Sequence, residues 1–378
     1  MVTRRRVAAL ISVVCLVSTH GSWAHHGGSL YDSSERITIQ GAVTDFRFVF
    51  PHVLIYIEAQ NDDGQNVVWS GELTTPNRLA RGVGGGGAAN NIRWTRDTLQ
   101  PGDIVAMTGD PARNGAPSMR IRRLISADGT ALIGGEEGEE STLVASVPAT
   151  RQPAAVAIAP SDLTGVWMRD YEHPWQNYAF SENPPDMTPW AQERYNASLP
   201  TFGPRGVSVA DTNDPVYRCL PPGTPRIYAH PAPFEIVQTS DRVLLVYEYQ
   251  HLTRHVFTDD RELREGRPAS WMGESVGHWE DDTFVVETGN FNDLTWIDRR
   301  GLPHSDQLRV TERIHRSAPN RLTIEIQVED PVAFVEPWTA QREFNLVDWR
   351  VEENVCEDNA SFASFESEVL EYGESPTE

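Results

Sequence analysis

Lysine is missing from the chain altogether: all 32 basic side chains among its 378 residues are arginine. Schiff-base chemistry and a lysine general base are thereby excluded. Positive charge of any kind is scarce, because 54 acidic residues leave a formal net charge of −22. A nucleic-acid partner would need cations to neutralise its phosphates, so nucleic acid is excluded as well. Cysteine occurs three times, with no CxxC spacing and no nearby third ligand to make Cys219 and Cys356 a metal site. Past the first residues, no apolar run approaches the ~20 residues that a membrane helix needs. The mature protein is therefore expected to be soluble, with no membrane span.

The one apolar run, "VAALISVVCLV", follows Arg4-Arg5-Arg6 and precedes the small-residue site Ser22-Trp23-Ala24. Residues 1–24 read as a signal peptide, which places the protein in the periplasm or outside the cell. Cys15 leaves with it, and Cys219 and Cys356 remain as a pair in an oxidising compartment, where a disulfide between them is expected.

Residues 25–133 show short alternating runs: "ITIQGAVTDFRFVF", "HVLIYIEAQ", the turn "NDDGQ", "NVVWSGEL", "IVAMTGD" and "SMRIRRLISADG". This spacing predicts an all-β module, a small OB-like barrel. The run Gly84 to Gly87 reads as a loop, because no helix pattern follows it as a phosphate cradle would require. Residues 134–160 mix Gly, Glu, Ala and Pro without periodicity and read as a linker. Residues 161–358 open with "DLTGVWMRD", carry a helix signal at "MTPWAQERYNASL", and continue as hairpin-like pairs. They predict a larger, lipocalin-like antiparallel β-barrel or curved meander, since closure removes exposed strand edges. Residues 359–378 form an acidic tail, expected to be disordered.

In "LRVTERIHR", alternation sets Leu308, Val310, Glu312 and Ile314 on one face. Glu312 therefore points with the apolar set. A carboxylate inside a barrel costs several kcal/mol unless paired or protonated, which makes Glu312 a candidate proton donor or acceptor. Tyr247, Tyr249, His255, Asp293 and His304 are the polar groups that neighbouring strands and loops could bring to it. An arginine or tyrosine that merely satisfies Glu312 inside the core is the competing reading. "GESVG" has nucleophile-elbow spacing around Ser275, but the strand and hairpin that follow do not fit the strand-to-helix turn of that motif. Asp281, Asp282 and Asp293 lack the spaced pattern of a calcium loop and read as solvated turn acids.

Removal of residues 1–24 would make His25 the N-terminal residue, whose free amine and imidazole can chelate one metal ion together. Such a brace suits copper, with His26 and His52 as further candidate ligands. A polar tail and a strand-capping histidine are the competing reading.

"AHHGGSLYD", "FPHVLIYIE", "NVVWSGEL" and "WTRDTLQPGD" together resemble an uncharacterised family of exported bacterial domains with Ala-His-His and Asn-Pro-His motifs, over about residues 24–133. The resemblance implies a secreted β-domain and puts His25, His26, Asp32, His52 and Trp94 in the family pattern. The Gly-Gly after the histidines and the Gly84 to Gly87 insertion depart from it. "CLPPGTPR", "SVGHWEDDTFVVET" and "HSDQLRVTER" resemble a second uncharacterised family of exported β-rich proteins, over roughly residues 162–358. Neither resemblance carries a reaction.

Three readings follow. The first is an exported protein that binds a small, partly apolar ligand in the second barrel and requires no cofactor. The second is a cofactor-free acid/base enzyme that uses Glu312 with His255 or His304 for hydration, isomerisation, elimination or cyclisation. The third is copper binding through the N-terminal histidines.

Overall fold

The computed structural model describes residues 30–61, 63–82, 92–134, 159–170, 172–207, 211–263 and 268–356, together with Val369 and Tyr372. The expected signal peptide, His25, His26, the Gly84 to Gly87 run, and most of the expected linker and tail lie outside the described residues.

Six strands build the first module: β1 (Ile37–Arg47), β2 (Leu54–Gln60), β3 (Asn66–Glu72), β4 (Ile104–Pro111), β5 (Ser118–Ser126) and β6 (Ala131–Ile133). They run in the order β3-β2-β1-β4-β5-β6. Strand β1 serves both halves, pairing with β4 through Ala42 and with β2 from Ala42 onward. Gly41 sits at this change of partner, where an added Cβ would lie 2.3 Å from the Glu58 carbonyl oxygen. Close backbone approach at the bend thus demands glycine. A parallel pairing of β3 with β5 then closes the first five strands into a barrel, the topology of an OB-like fold. Its seam puts Ser70 opposite Ser118 and Glu72 opposite Arg120. Inside lies a core that includes Ile55, Ile57, Met107, Met119 and Leu124, each essentially inaccessible to water. The short helix α1 (Pro76–Ala80) follows β3 and carries the chain toward the second module.

The second module is a closed barrel of nine strands: β7 (Gly165–Asp170), β8 (Phe234–Gln238), β9 (Arg242–Tyr247), β10 (Thr253–Phe257), β11 (Glu274–Glu280), β12 (Thr283–Gly289), β13 (Arg309–Ala318), β14 (Arg321–Glu329) and β15 (Trp338–Val347). They follow one another round the barrel in chain order. An odd number of strands cannot alternate direction all the way round, so one neighbouring pair must be parallel. That pair is β10 and β11. Every other neighbouring pair is antiparallel.

Alternation along β13 and β14 holds as read: Val310, Glu312, Ile314, Leu322, Ile324, Ile326 and Val328 all face the core. The long excursion between β7 and β8 carries the helix α2 (Pro189–Ala197), begun by Thr188 whose hydroxyl accepts the Ala191 N–H. Guanidinium groups pin this excursion and its neighbours by their carbonyls. Arg169 donates to the Asn177 and Ala229 carbonyls, Arg205 to those of Tyr195, Ser198 and Arg300, and Arg300 to those of Ser181 and Glu182. Five N–H donors in a planar fork let one side chain satisfy several loop carbonyls at once. Among the described residues, no helix is long and apolar enough to cross a membrane.

Past β15 the chain runs as a strap, residues 348–356, across to the first module. Cys356 closes a disulfide with Cys219, tying the strap to the excursion between β7 and β8. Arg81, just after α1, donates to Glu248 Oε1 at 2.9 Å and Oε2 at 2.5 Å, and to the Arg350 carbonyl at 2.8 Å. The Glu352 N–H donates to the same carboxylate at 2.9 Å, and Asn77 donates to the Glu353 carbonyl at 3.1 Å. Val369, in the tail segment, is buried against Leu30, Tyr31 and Leu54 of the first module.

Arg81 is thus the bolt between the modules. Arg81→Met should speed hydrogen exchange at the Glu352 amide about tenfold or more, since charge-assisted hydrogen bonds of ~1.5–3 kcal/mol are lost. Core amides of both barrels should be unaffected. Equal exchange at Glu352 in the two proteins would show that the strap is held by something else.

Candidate functional site

Inside the larger barrel, Glu312 is completely buried and faces Arg254 of β10, itself 3% exposed. Arg254 donates to both carboxylate oxygens, at 3.0 Å for Oε1, and the Tyr228 hydroxyl donates to Oε1 at 2.7 Å. The remaining donors of Arg254 go to Ser275 Oγ at 2.8 Å and Thr288 Oγ1 at 2.6 Å. Burial alone would pull the Arg254 guanidinium down, but Glu312 outweighs it and holds the cation firmly charged. Aromatic rings close round this network: Phe234, Tyr247 and Phe344 meet the Tyr228 ring edge-on at 5.7, 6.0 and 5.8 Å. The barrel interior is thus a satisfied ion pair packed in an apolar core.

The other residues singled out in sequence are dispersed. Tyr247 is buried beside the ion pair, its phenol pushed up to about 12 by burial. His255 sits on β10 one position from Arg254, so alternation turns it outward, where it is exposed and stacks near Phe257. His304 is buried in the loop after β12, held by the Ser305 carbonyl at 3.0 Å and kept below its ordinary value by burial. Asp293 is exposed, close enough to His304 to act on its charge. Ser275, the centre of "GESVG", accepts from Arg254 within the buried network. Asp281 and Asp282 are exposed, and Asp281 takes the left-handed conformation of a tight turn, φ 51°. Tyr249 lies outside the barrel core, at the boundary between the modules.

At that boundary lies a cavity of about 730 Å³, lined by both modules, within the size range of small-molecule sites. The first module supplies the closed seam of its barrel. There Glu72 is 2% exposed, and His52, just ahead of β2, brings Nδ1 against Glu72 Oε1. Burial would push Glu72 up; the facing His52 and the nearby Tyr31 and Arg120 outweigh it and hold the carboxyl below its ordinary value. The Tyr31 phenol rises well above its usual range, through burial first and the Glu72 charge second. Arg120, opposite Glu72 across the seam, opens onto the cavity. From the second module come Tyr217, Tyr249 and Arg299, with the Arg226–Asp214 pair, both partners at most 2% exposed. The Tyr249 ring stacks on His230 at 4.0 Å, and Arg299 lies 3.5 Å over the face of Phe202. Apolar walls come from Phe50, Leu73, Ile121, Val207 and Val216.

Of the three histidines read as metal ligands, His52 stands at this cavity, and His25 and His26 lie outside the described residues. Among the described residues, no group of three or more His, Cys, Asp and Glu is arranged to hold a metal ion. Sequence reasoning missed Glu72, Arg120, Arg254 and Arg299. Alternation in "LTRHVF" sets Arg254 with Leu252 and Val256 and does signal it; the other three meet only through long-range pairing.

Glu312→Gln should destabilise the protein by roughly 3–5 kcal/mol, because it leaves the buried Arg254 charge without a partner. Replacing both residues by methionine should recover much of that loss, in denaturant titrations of the single and double variants. A Glu312→Gln protein as stable as the parent would mean that the pair is not the keystone of this core.

Residues 12–119, which include most of the first barrel, match the model of a family of unknown function (DUF6152). No curated protein matches the chain. The family match agrees with an uncharacterised N-terminal domain and leaves the cavity, half of which belongs to the second module, to be read from its own chemistry.

Proposed function

We propose that this is an exported protein that binds a small, partly apolar molecule, and that the ligand sits in the cavity between the modules. The observation that carries this reading is the pairing of apolar walls with inward polar groups from both barrels in a space of about 730 Å³. The interior of the larger barrel, which sequence favoured as the pocket, offers less to a ligand: its polar centre is already bonded to itself. For the same reason an acid/base role for Glu312 loses support, since a ligand would have to displace Arg254 and Tyr228 to reach it.

A second reading, copper binding, draws on the contact of His52 with Glu72. A carboxylate on Nδ1 orients the ring and favours Nε2 as the ligating nitrogen, the usual arrangement behind metal-bound histidines. His25 and His26 would complete such a site.

One preparation separates the readings. Mature protein soaked in cell extract, washed, and analysed by mass spectrometry and elemental analysis should retain an organic molecule unchanged. Ala232→Trp, which places a large ring in the cavity, should abolish retention with the fold intact. Retention that survives Ala232→Trp contradicts the cavity reading; about one copper per chain with no organic molecule supports the second. Conversion of the molecule during the soak would make the protein an enzyme.

A further inference from the structure

The charges that line the cavity are unevenly matched. Its acidic residues are all committed: Glu72 to His52, Asp110 to Arg36 and Arg122, Asp214 to Arg226, and Glu248 to Arg81. Two of its arginines are not. Arg120 makes no hydrogen bond or ion pair among the described residues, although Glu72 and Asp110 lie within electrostatic reach. Arg299 donates one N–H to the Asn177 carbonyl at 3.2 Å and stacks on Phe202, with no carboxylate bonded to it among the described residues. Arg254, Arg226 and Arg300, all buried, each bond a carboxylate; Arg120, exposed at the cavity, and Arg299, half-buried there, do not. A guanidinium that opens onto a walled cavity with no carboxylate of its own is a ready partner for an anion that enters.

Resting on the cavity reading above, we infer that the ligand is a carboxylate with an apolar body, its acid group held between Arg120 of the first module and Arg299 of the second. The planar fork of arginine matches a carboxylate in two-point contact. Phe50, Ile121, Val207 and Val216 would pack on the remainder of the molecule. Both guanidinium groups are pulled down, by burial first, and Arg226 adds to that at Arg299; a bound anion relieves that burden at both. The placement also reconciles an anionic ligand with a chain of net charge −22. Attraction comes from two nearby cations rather than from the overall charge of the chain.

The site needs both barrels, because each contributes one of the two cations. Binding is thereby coupled to the docking of the modules.

The test compares acids with their uncharged amides on the mature protein by titration calorimetry: benzoate, phenylacetate and cinnamate against benzamide, phenylacetamide and cinnamamide, with inorganic sulfate alongside. At least one acid should bind tenfold or more tightly than its amide. Arg120→Gln and Arg299→Gln should each weaken that acid tenfold or more and its amide less than threefold, with melting temperatures kept. Equal binding of acid and amide overturns the inference, as does failure of all three acids to bind. Sulfate that binds as tightly as the best acid overturns the apolar-bodied part. The acid–amide ratio in the unaltered protein needs no folded variant, so the test stands even if an arginine substitution unfolds the chain. Ala232→Trp separates the two levels: if it blocks acid and amide alike while they bind equally in the parent, the cavity reading survives and the carboxylate fails. If it blocks neither, the cavity reading itself is wrong.

Discussion

The bidentate grip of Arg81 on Glu248 sets the separation of the two barrels, and the cavity exists only at that separation. Arg81 comes just after α1, which follows directly from β3, the strand that ends in Glu72. Glu248 follows β9, whose last residue, Tyr247, lies in the larger core. The contact thus ties the closing seam of one barrel to the wall of the other. The strap reinforces it, since the Glu352 N–H shares the same carboxylate and the disulfide at Cys356 anchors the strap's far end. Remove the grip, and the two halves of the proposed site are no longer facing.

A chain without lysine must do every cationic task with arginine, and here the tasks divide into three. Arg169, Arg205 and Arg300 hold loop carbonyls and so fix the excursion that brings Phe202, Tyr217 and Arg226 to the cavity. Arg254 neutralises Glu312 in the large core, a geometry in which removal of one partner is far more harmful than removal of both. Arg120 does neither, and Arg299 gives one N–H to a loop carbonyl but meets no carboxylate among the described residues. Lysine could not replace most of these, because a single ammonium lacks the flat, multi-donor fork that reaches two or three acceptors at once.

Periodicity made much of the fold legible. The two all-β modules, the placement of Glu312 with the apolar set, the helix at Pro189–Ala197 and the Cys219–Cys356 pair all follow from local pattern or simple pairing. The parallel pair β10 and β11 is a consequence of strand number, which no local window reports. Glu312's true partner was within reach, since Arg254, not His255, shares the buried face of its strand. The cavity was not. Its residues come from β3, β5, the excursion between β7 and β8, the loop after β12 and the strap, segments whose proximity depends on how two closed barrels dock. Nothing in the spacing of Glu72, Arg120 and Arg299 announces that they share one space.

A crystal structure of the mature protein soaked with the tightest-binding apolar-bodied acid tests the central claim most directly. The account predicts density for the carboxylate within hydrogen-bond reach of both Arg120 and Arg299, with the apolar body lying between the modules. Ligand density inside the larger barrel beside Glu312, or an acid bound away from both guanidinium groups, would contradict it.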